Sequence, residues 1–315
     1  MNKLIDLSSY PITPVLKLLL EDKTTGKNII WATDTYAENG EGFQDTDELN
    51  FQYLKLHTDI IVPRIQKTLE EQQSRTRKKA EVFTPVWLCC QMNNYCDDEW
   101  FGRKNVFNIL NDDNTWREID GKIEFTEEHT WQSYVDSRRL EITCGEAPYL
   151  VSRYDVVTGE MIVPPKHRIG ILDRKMRIVN ENTDSYDKWM KWTIRAYESC
   201  YGYEYQGDNL LIARCNLLLT FVDYYEERWQ KQPSVKELTI IARRIVWNIW
   251  QMDGFKDTVP LGKPHEDNHQ INIFEILNPN LQDDIIGNQR VAEYCKIQNW
   301  RGNYPVIFHE LKGEM

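Results

Sequence analysis

Glu204 closes the run Tyr201-Gly202-Tyr203-Glu204, and an acid at the tip of a β-strand can accept hydrogen bonds from both hydroxyls of a ribose. A second run, Leu140-Glu141-Ile142-Thr143-Cys144-Gly145-Glu146-Ala147-Pro148-Tyr149-Leu150, carries a hydrophobic strand end directly into a Cys-Gly turn. A glycine there lets the backbone approach a ligand closely, as at the crevice of an α/β nucleotide-type fold. Upstream, Phe83-Thr84-Pro85 has the chemistry of a helix start, with Thr84 as N-cap and Pro85 at the first position. Such an N-terminus also offers backbone N–H groups to a carboxylate. The bland alternatives are an exposed acid at a strand end, a structural glycine turn and an ordinary helix cap.

In this order, and followed by Ala213-Arg214-Cys215-Asn216-Leu217, the segments resemble the S-adenosylmethionine (SAM)-binding half of adenine-N6 DNA methyltransferases from restriction–modification systems. In that family a Phe-Thr-Pro segment precedes the first strand. A Leu-Asp-Pro-Ala-Cys-Gly-Thr-Gly-x-Phe-Leu motif forms the cofactor turn, and Tyr-Gly-x-Asp/Glu ends the second strand. Glu141 stands at the family's Asp, Cys144 and Gly145 at its Cys-Gly, and Tyr149 at its Phe; Ile142 replaces the Pro, Glu146 a small polar residue and Ala147 the second Gly. The resemblance covers roughly residues 75 to 315. It implies a partial Rossmann-like α/β core that binds SAM through Phe83, Thr84, Pro85, Glu141, Cys144, Gly145, Tyr149 and Glu204. Asn299 falls where the family carries an Asp beside the adenine ring.

The family grips its target amine with an Asn/Asp-Pro-Pro-Tyr/Phe loop after strand four, and these 315 residues contain no such motif. Asn278-Pro279-Asn280-Leu281 and Val163-Pro164-Pro165-Lys166 do not substitute for it. The resemblance therefore implies a split enzyme. A second methyltransferase subunit would carry strands four to seven and the catalytic loop, and DNA would be met through the complex. Its main interface would be the edge of the first strand and the segment around Val306, Ile307, Phe308 and Leu311. The rival reading is a degenerate, non-catalytic interaction subunit of a defence complex. A third rests on His265-Glu266-Asp267-Asn268-His269, which matches the zinc-hydrolase His-Glu-x-x-His. Gly262 and Pro264 argue against the buried helix that motif needs.

Composition narrows the field. Hydrophobic residues make up 41% of the chain, with 11 Trp and 16 Tyr, which suits a folded core and not a disordered polymer. The net charge of −11 makes the chain a poor nucleic-acid binder by itself, so any contact needs a local patch. The densest basic cluster is Arg75-Thr76-Arg77-Lys78-Lys79, where Arg75, Arg77, Lys78 and Lys79 read either as a solvated helix end or as DNA contacts. Seven cysteines without a Cys-x-x-Cys pair suit a reducing cytoplasm. No run reaches the roughly 18 apolar residues of a membrane span.

The positioning elements follow from periodicity. The expected division is a mostly helical region, 1–79, before a methyltransferase-like domain, 80–315. Phe51, Leu54, Ile61, Ile65 and Leu69 recur on one helical face, broken near Pro63. Strand one is expected over 139–143, strand two over 201–205 and strand three over 294–298. Helices are expected after Pro85 and over 185–200, 208–230 and 234–252; Arg168 to Lys175 reads as a short strand, 253–287 as loop, and a short helix ends at Val291 to Tyr294.

Overall fold

The computed structural model describes residues 3–79, 81–262 and 293–312. Its helices are α1 (Leu16–Leu19), α2 (Phe51–Leu56), α3 (Leu69–Lys79), α4 (Val86–Phe101), α5 (Trp131–Asp136), α6 (Ile171–Asn182), α7 (Tyr186–Glu198), α8 (Gly207–Trp229), α9 (Val235–Asn248) and α10 (Phe308–Lys312). The strands are β1 (Asn108–Leu110), β2 (Trp116–Glu118), β3 (Arg139–Glu141), β4 (Cys200–Glu204), β5 (Ile249–Gln251), β6 (Lys296–Asn299) and β7 (Tyr304–Ile307). The chain is thus mixed α/β around a small parallel sheet in the order β3-β4-β5.

The register pairs Glu141 with Gly202 and Glu204 with Gln251, so the C-terminal tips of all three strands gather at one edge. Alternation then assigns the two faces. A Cβ on Gly202 would touch Cys144 and Ile249, so that face looks into the main cluster, which α6 to α9 share with N-terminal residues such as Leu16, Leu19 and Leu54. Tyr203 and Trp250 point the other way and are covered by Ile297 of β6 and Phe308 of α10. Helix α8 is buried along most of its length, polar residues such as Asp208, Arg214 and Asn216 included, which marks it as the central helix. Helix α9 starts at a capping box, Ser234 with Glu237.

Several sequence expectations need correction. Segment 168–175 is no strand: Leu172, Met176 and Val179 follow a helical period and α6 buries them. The helix expected to run to Met252 stops at Asn248, and the next three residues are β5, the true third parallel strand. Segment 296–299 pairs antiparallel with β7 in a separate two-stranded sheet. The N-terminal helical face is interrupted, and Leu69 is 76% exposed. Asn111–Asn114 reads in sequence as a turn in a polar stretch, and the structure makes it the turn of the β1–β2 hairpin, whose short strands the sequence does not show. Val306, Phe308 and Leu311, expected at a partner interface, pack on the chain's own Tyr203 and Trp250, while Leu140 of β3 and Ile142 just after it are 45% and 63% exposed. No helix among the described residues is long and apolar enough to cross a membrane.

Candidate functional site

The three sequence segments meet at the C-terminal edge of the sheet. Glu204 accepts hydrogen bonds from the amides of Gly145 (2.9 Å) and Gln206 (3.1 Å). Glu141 accepts from Tyr149 N–H (3.2 Å) and Leu150 N–H (3.0 Å), so each strand-tip acid ties the Cys-Gly turn to the sheet. Cys144 joins it through its own amide to Tyr203 O, and its thiol is buried. Phe83 leans on the turn: a Cβ at Gly145 would sit 3.0 Å from its ring. Thr84 acts on the Tyr149 phenol, which also reaches Met92 Sδ at 3.1 Å. Pro85, not Thr84, occupies the N-cap of α4, one residue later than the Thr-cap reading places it, so no side chain caps that helix.

Both acids are buried. Burial pushes Glu141 up to about 8 and Glu204 to about 7, against the downward pull of their amide donors. The proximity of Glu204 raises Glu141 further, and Asp208 and Glu81 do the same to Glu204. A protonated carboxyl at such a site can donate as well as accept, which suits recognition of hydroxyls or ring nitrogens.

Two of the three departures from the resembled motif, Ala147 and Glu146, have structural roles. Ala147 takes φ +65°, the left-handed region that favours glycine, and is fully buried. Glu146 points away from the strand tips, accepting from Arg64 N–H (2.6 Å) and Tyr154 O–H (2.7 Å). Asn216, from the Ala-Arg-x-Asn-Leu segment, donates to Glu146 O at 3.1 Å and holds the turn from below. Arg214 of the same segment is buried and donates to Ile249 O, Leu19 O and Glu21 O, linking β5 to the N-terminal region.

Beside the turn lies an ion network that sequence reasoning missed. Asp208 is buried against Arg75 (3.0 Å), Lys67 (3.4 Å) and Tyr36 O–H (2.7 Å). Glu81 meets Arg75, Arg64 (3.2 Å) and Asn209 Nδ2 (3.0 Å). Arg75 is therefore 2% exposed and shut away from any DNA, which corrects its reading as a phosphate contact; burial pulls its pKa down, but Asp208 and Glu81 more than reverse this. Arg77 and Lys78 are exposed, and Lys79 pairs with Asp34 at 2.9 Å. The signal available was Glu81, six residues after Arg75 and before a helix, an acid placed to pair a basic helix end.

Asn299 is displaced from this site. It lies in the β6–β7 hairpin, where its side chain accepts from Arg301 N–H and Gly302 N–H, and the neighbouring Gln298 O receives Tyr201 O–H at the opposite end of β4. Beside Glu204 the third strand instead presents Gln251, whose amide clamps Ile30 by accepting from its N–H (2.9 Å) and donating to its O (2.8 Å). The residues His265 to His269 lie outside the described ones, among which no cluster of three or more His, Cys, Asp or Glu could hold a metal.

No family model, curated protein or solved structure matches this chain.

The Gly145 turn gives a direct test of the geometry. Gly145 has φ +53° and the Phe83 ring in front of its missing Cβ. Gly145→Ala is expected to cost about 1–2 kcal/mol, the usual strain of a side chain in left-handed backbone. Adding Phe83→Leu should recover part of the loss. Urea denaturation of both variants reads this, and an unchanged midpoint for Gly145→Ala would mean the turn does not hold that conformation.

Proposed function

We propose that this chain is the cofactor-holding part of a SAM-dependent adenine-N6 DNA methyltransferase. One observation carries the reading: the acid ending the middle strand touches the amide of the Cys-Gly turn that ends its neighbour. In an adenosyl site the first group would take the ribose hydroxyls and the second would let the nucleoside approach backbone. Phe83 and Thr84 lie at the same turn, as the resemblance requires. The Asn-Pro-Pro-Tyr chemistry would come from polypeptide outside these residues, on a second subunit carrying strands four to seven. The β3 edge, with Leu140 on it and Ile142 in the turn just after it, is where those strands would continue the sheet by main-chain hydrogen bonds. DNA would be bound by the complex, in the cytoplasm.

A second reading has its own support. Glu141 and Glu204 already accept two amides each, and Glu146 draws the turn toward Arg64 and Tyr154. That closed arrangement suits a degenerate module that keeps the fold as an interaction surface and binds no cofactor.

Calorimetric titration with SAM separates the two. The cofactor reading expects saturable one-to-one binding, weakened at least tenfold in Glu204→Ala through loss of the ribose acceptor. The absence of heat with wild-type protein, alone and with the subunit carrying the catalytic loop, leaves the interaction module standing.

A further inference from the structure

A cavity of about 820 Å³ opens between the α1 segment, α9 and the β6–β7 hairpin. It lies toward the N-terminal ends of β4 and β5, since Gln298 O takes the Tyr201 hydroxyl and Trp300 is tied to Asn248, just before β5. It is thus separate from the strand tips that carry Glu141 and Glu204. Lys17, Lys23, Arg243 and Arg244 line it with a single carboxylate, Glu21, which Lys23 neutralises. In a chain of net charge −11 this is a local reversal of the field.

We propose that this cavity is a nucleotide site, taking a ligand that joins phosphate to a planar base. Thr239, Arg243 and Trp247 follow one another at four-residue intervals, so a hydroxyl, a guanidinium and an indole form one stripe along α9 toward the cavity. Arg243 is exposed and has no acidic partner among the described residues; neither does Lys17 on the facing wall. Arg243 is available to phosphate oxygens, and Lys17, whose ammonium stands 5.1 Å over the Phe51 ring, can add its charge to the field. Trp300 supplies an aromatic wall whose position is set in advance. Its indole N–H donates to Asn248 Oδ1 at 2.7 Å, and Asn248 is itself fixed by Tyr197 O and Cys200 O. Arg244, held by Glu198, stands 5.2 Å from that ring, and Lys23 stands 6.0 Å from Trp247. Aromatic rings close to cations, with Arg243 left unpaired, are the elements with which proteins stack bases while neutralising their phosphates. The volume is within the range of roughly 300–1,000 Å³ that small ligands occupy.

A free nucleoside triphosphate and a single-stranded polynucleotide share this chemistry, and the test separates them. Full-length protein is titrated with ATP by calorimetry, and with fluorescein-labelled oligo-dT and oligo-U by anisotropy. Binding of at least one is expected, with Arg243→Ala and Trp247→Ala each weakening it about tenfold. Arg243 is exposed, so its variant should keep the wild-type unfolding midpoint; Trp247→Phe serves where Trp247→Ala lowers it. Binding of ATP alone assigns a mononucleotide site. Oligonucleotide binding whose log–log salt slope falls by about 0.7 in Arg243→Ala assigns a strand groove. The proposal is overturned if no probe binds, if both variants bind as wild type does, or if inorganic triphosphate competes as well as ATP.

Discussion

Arg75→Met is expected to destabilise the protein by about 3–5 kcal/mol at neutral pH, the usual cost of removing one partner from a buried ion network. Two carboxylates depend on this guanidinium. Asp208 is wholly inaccessible and Glu81 is 7% exposed, and both are held below their ordinary values despite burial, Asp208 by Arg75 and Lys67 and Glu81 chiefly by Arg75. Removing Arg75 leaves them with Lys67, Arg64 and neutral donors. The sign of the pH dependence follows. A carboxyl depressed in the native state contributes stability that is present above its unfolded value of about 4 and lost as pH falls through the native one. The gap between wild type and Arg75→Met should therefore be widest near pH 7 and shrink below pH 4, where the orphaned acids can protonate. Adding Asp208→Asn should restore part of the loss at pH 7. Guanidinium denaturation at several pH values reads all three; a surface arginine would leave the midpoint unmoved at every pH.

That residue also shows where sequence was a poor guide. In sequence Arg75 belongs to a basic run, and local charge density favours solvent. What buries it is Asp208, which lies 133 residues away and is brought alongside only when α8 packs against the N-terminal region. Strands β3 and β4 were legible because each ends in a turn or an acid that breaks the pattern sharply. The third parallel strand was not: Ile245, Ile249 and Met252 prolong the helical period of α9, and three residues cannot display a period of their own. With β5 hidden, the next β-like run, 294–298, reads as the third strand, which puts Asn299 at the wrong end of the sheet. The strand-tip acids and Gly145 did converge as their order suggested. The ion network and the basic cavity were hard to read because each joins distant segments, Arg75 and Glu81 with Asp208 in the one and Lys17 with Arg243 and Trp300 in the other.

The paired acids should give the molecule an unusual alkaline weakness. Glu141 and Glu204 are raised to about 8 and about 7, first by burial and then by nearby charge, that of Glu204 on Glu141 and those of Asp208 and Glu81 on Glu204. Asp173, raised to about 6 by burial, acts in the same sense. A raised carboxyl binds more protons folded than unfolded, so its stabilisation is complete below about pH 4.3 and is lost as pH rises through the native value. Each group can remove up to about 1.4 kcal/mol per pH unit inside its window. Stability should therefore fall between pH 5 and pH 8 by several kcal/mol and level off above pH 8, once Glu141 has ionised. Glu141→Gln should remove roughly one proton's worth of that slope and leave the Glu204 contribution in place, because Glu141 is still neutral when Glu204 ionises. The amide keeps only one acceptor for the Tyr149 and Leu150 donors, so the variant is expected to start weaker at pH 5 and to lose less on the way to pH 8. Urea midpoints at half-unit pH intervals would show the two curves converging, whereas parallel curves would mean that Glu141 is ionised throughout. If SAM occupies the site through Glu204, saturating cofactor should shift the falling region, and the Glu141→Gln protein should retain that shift.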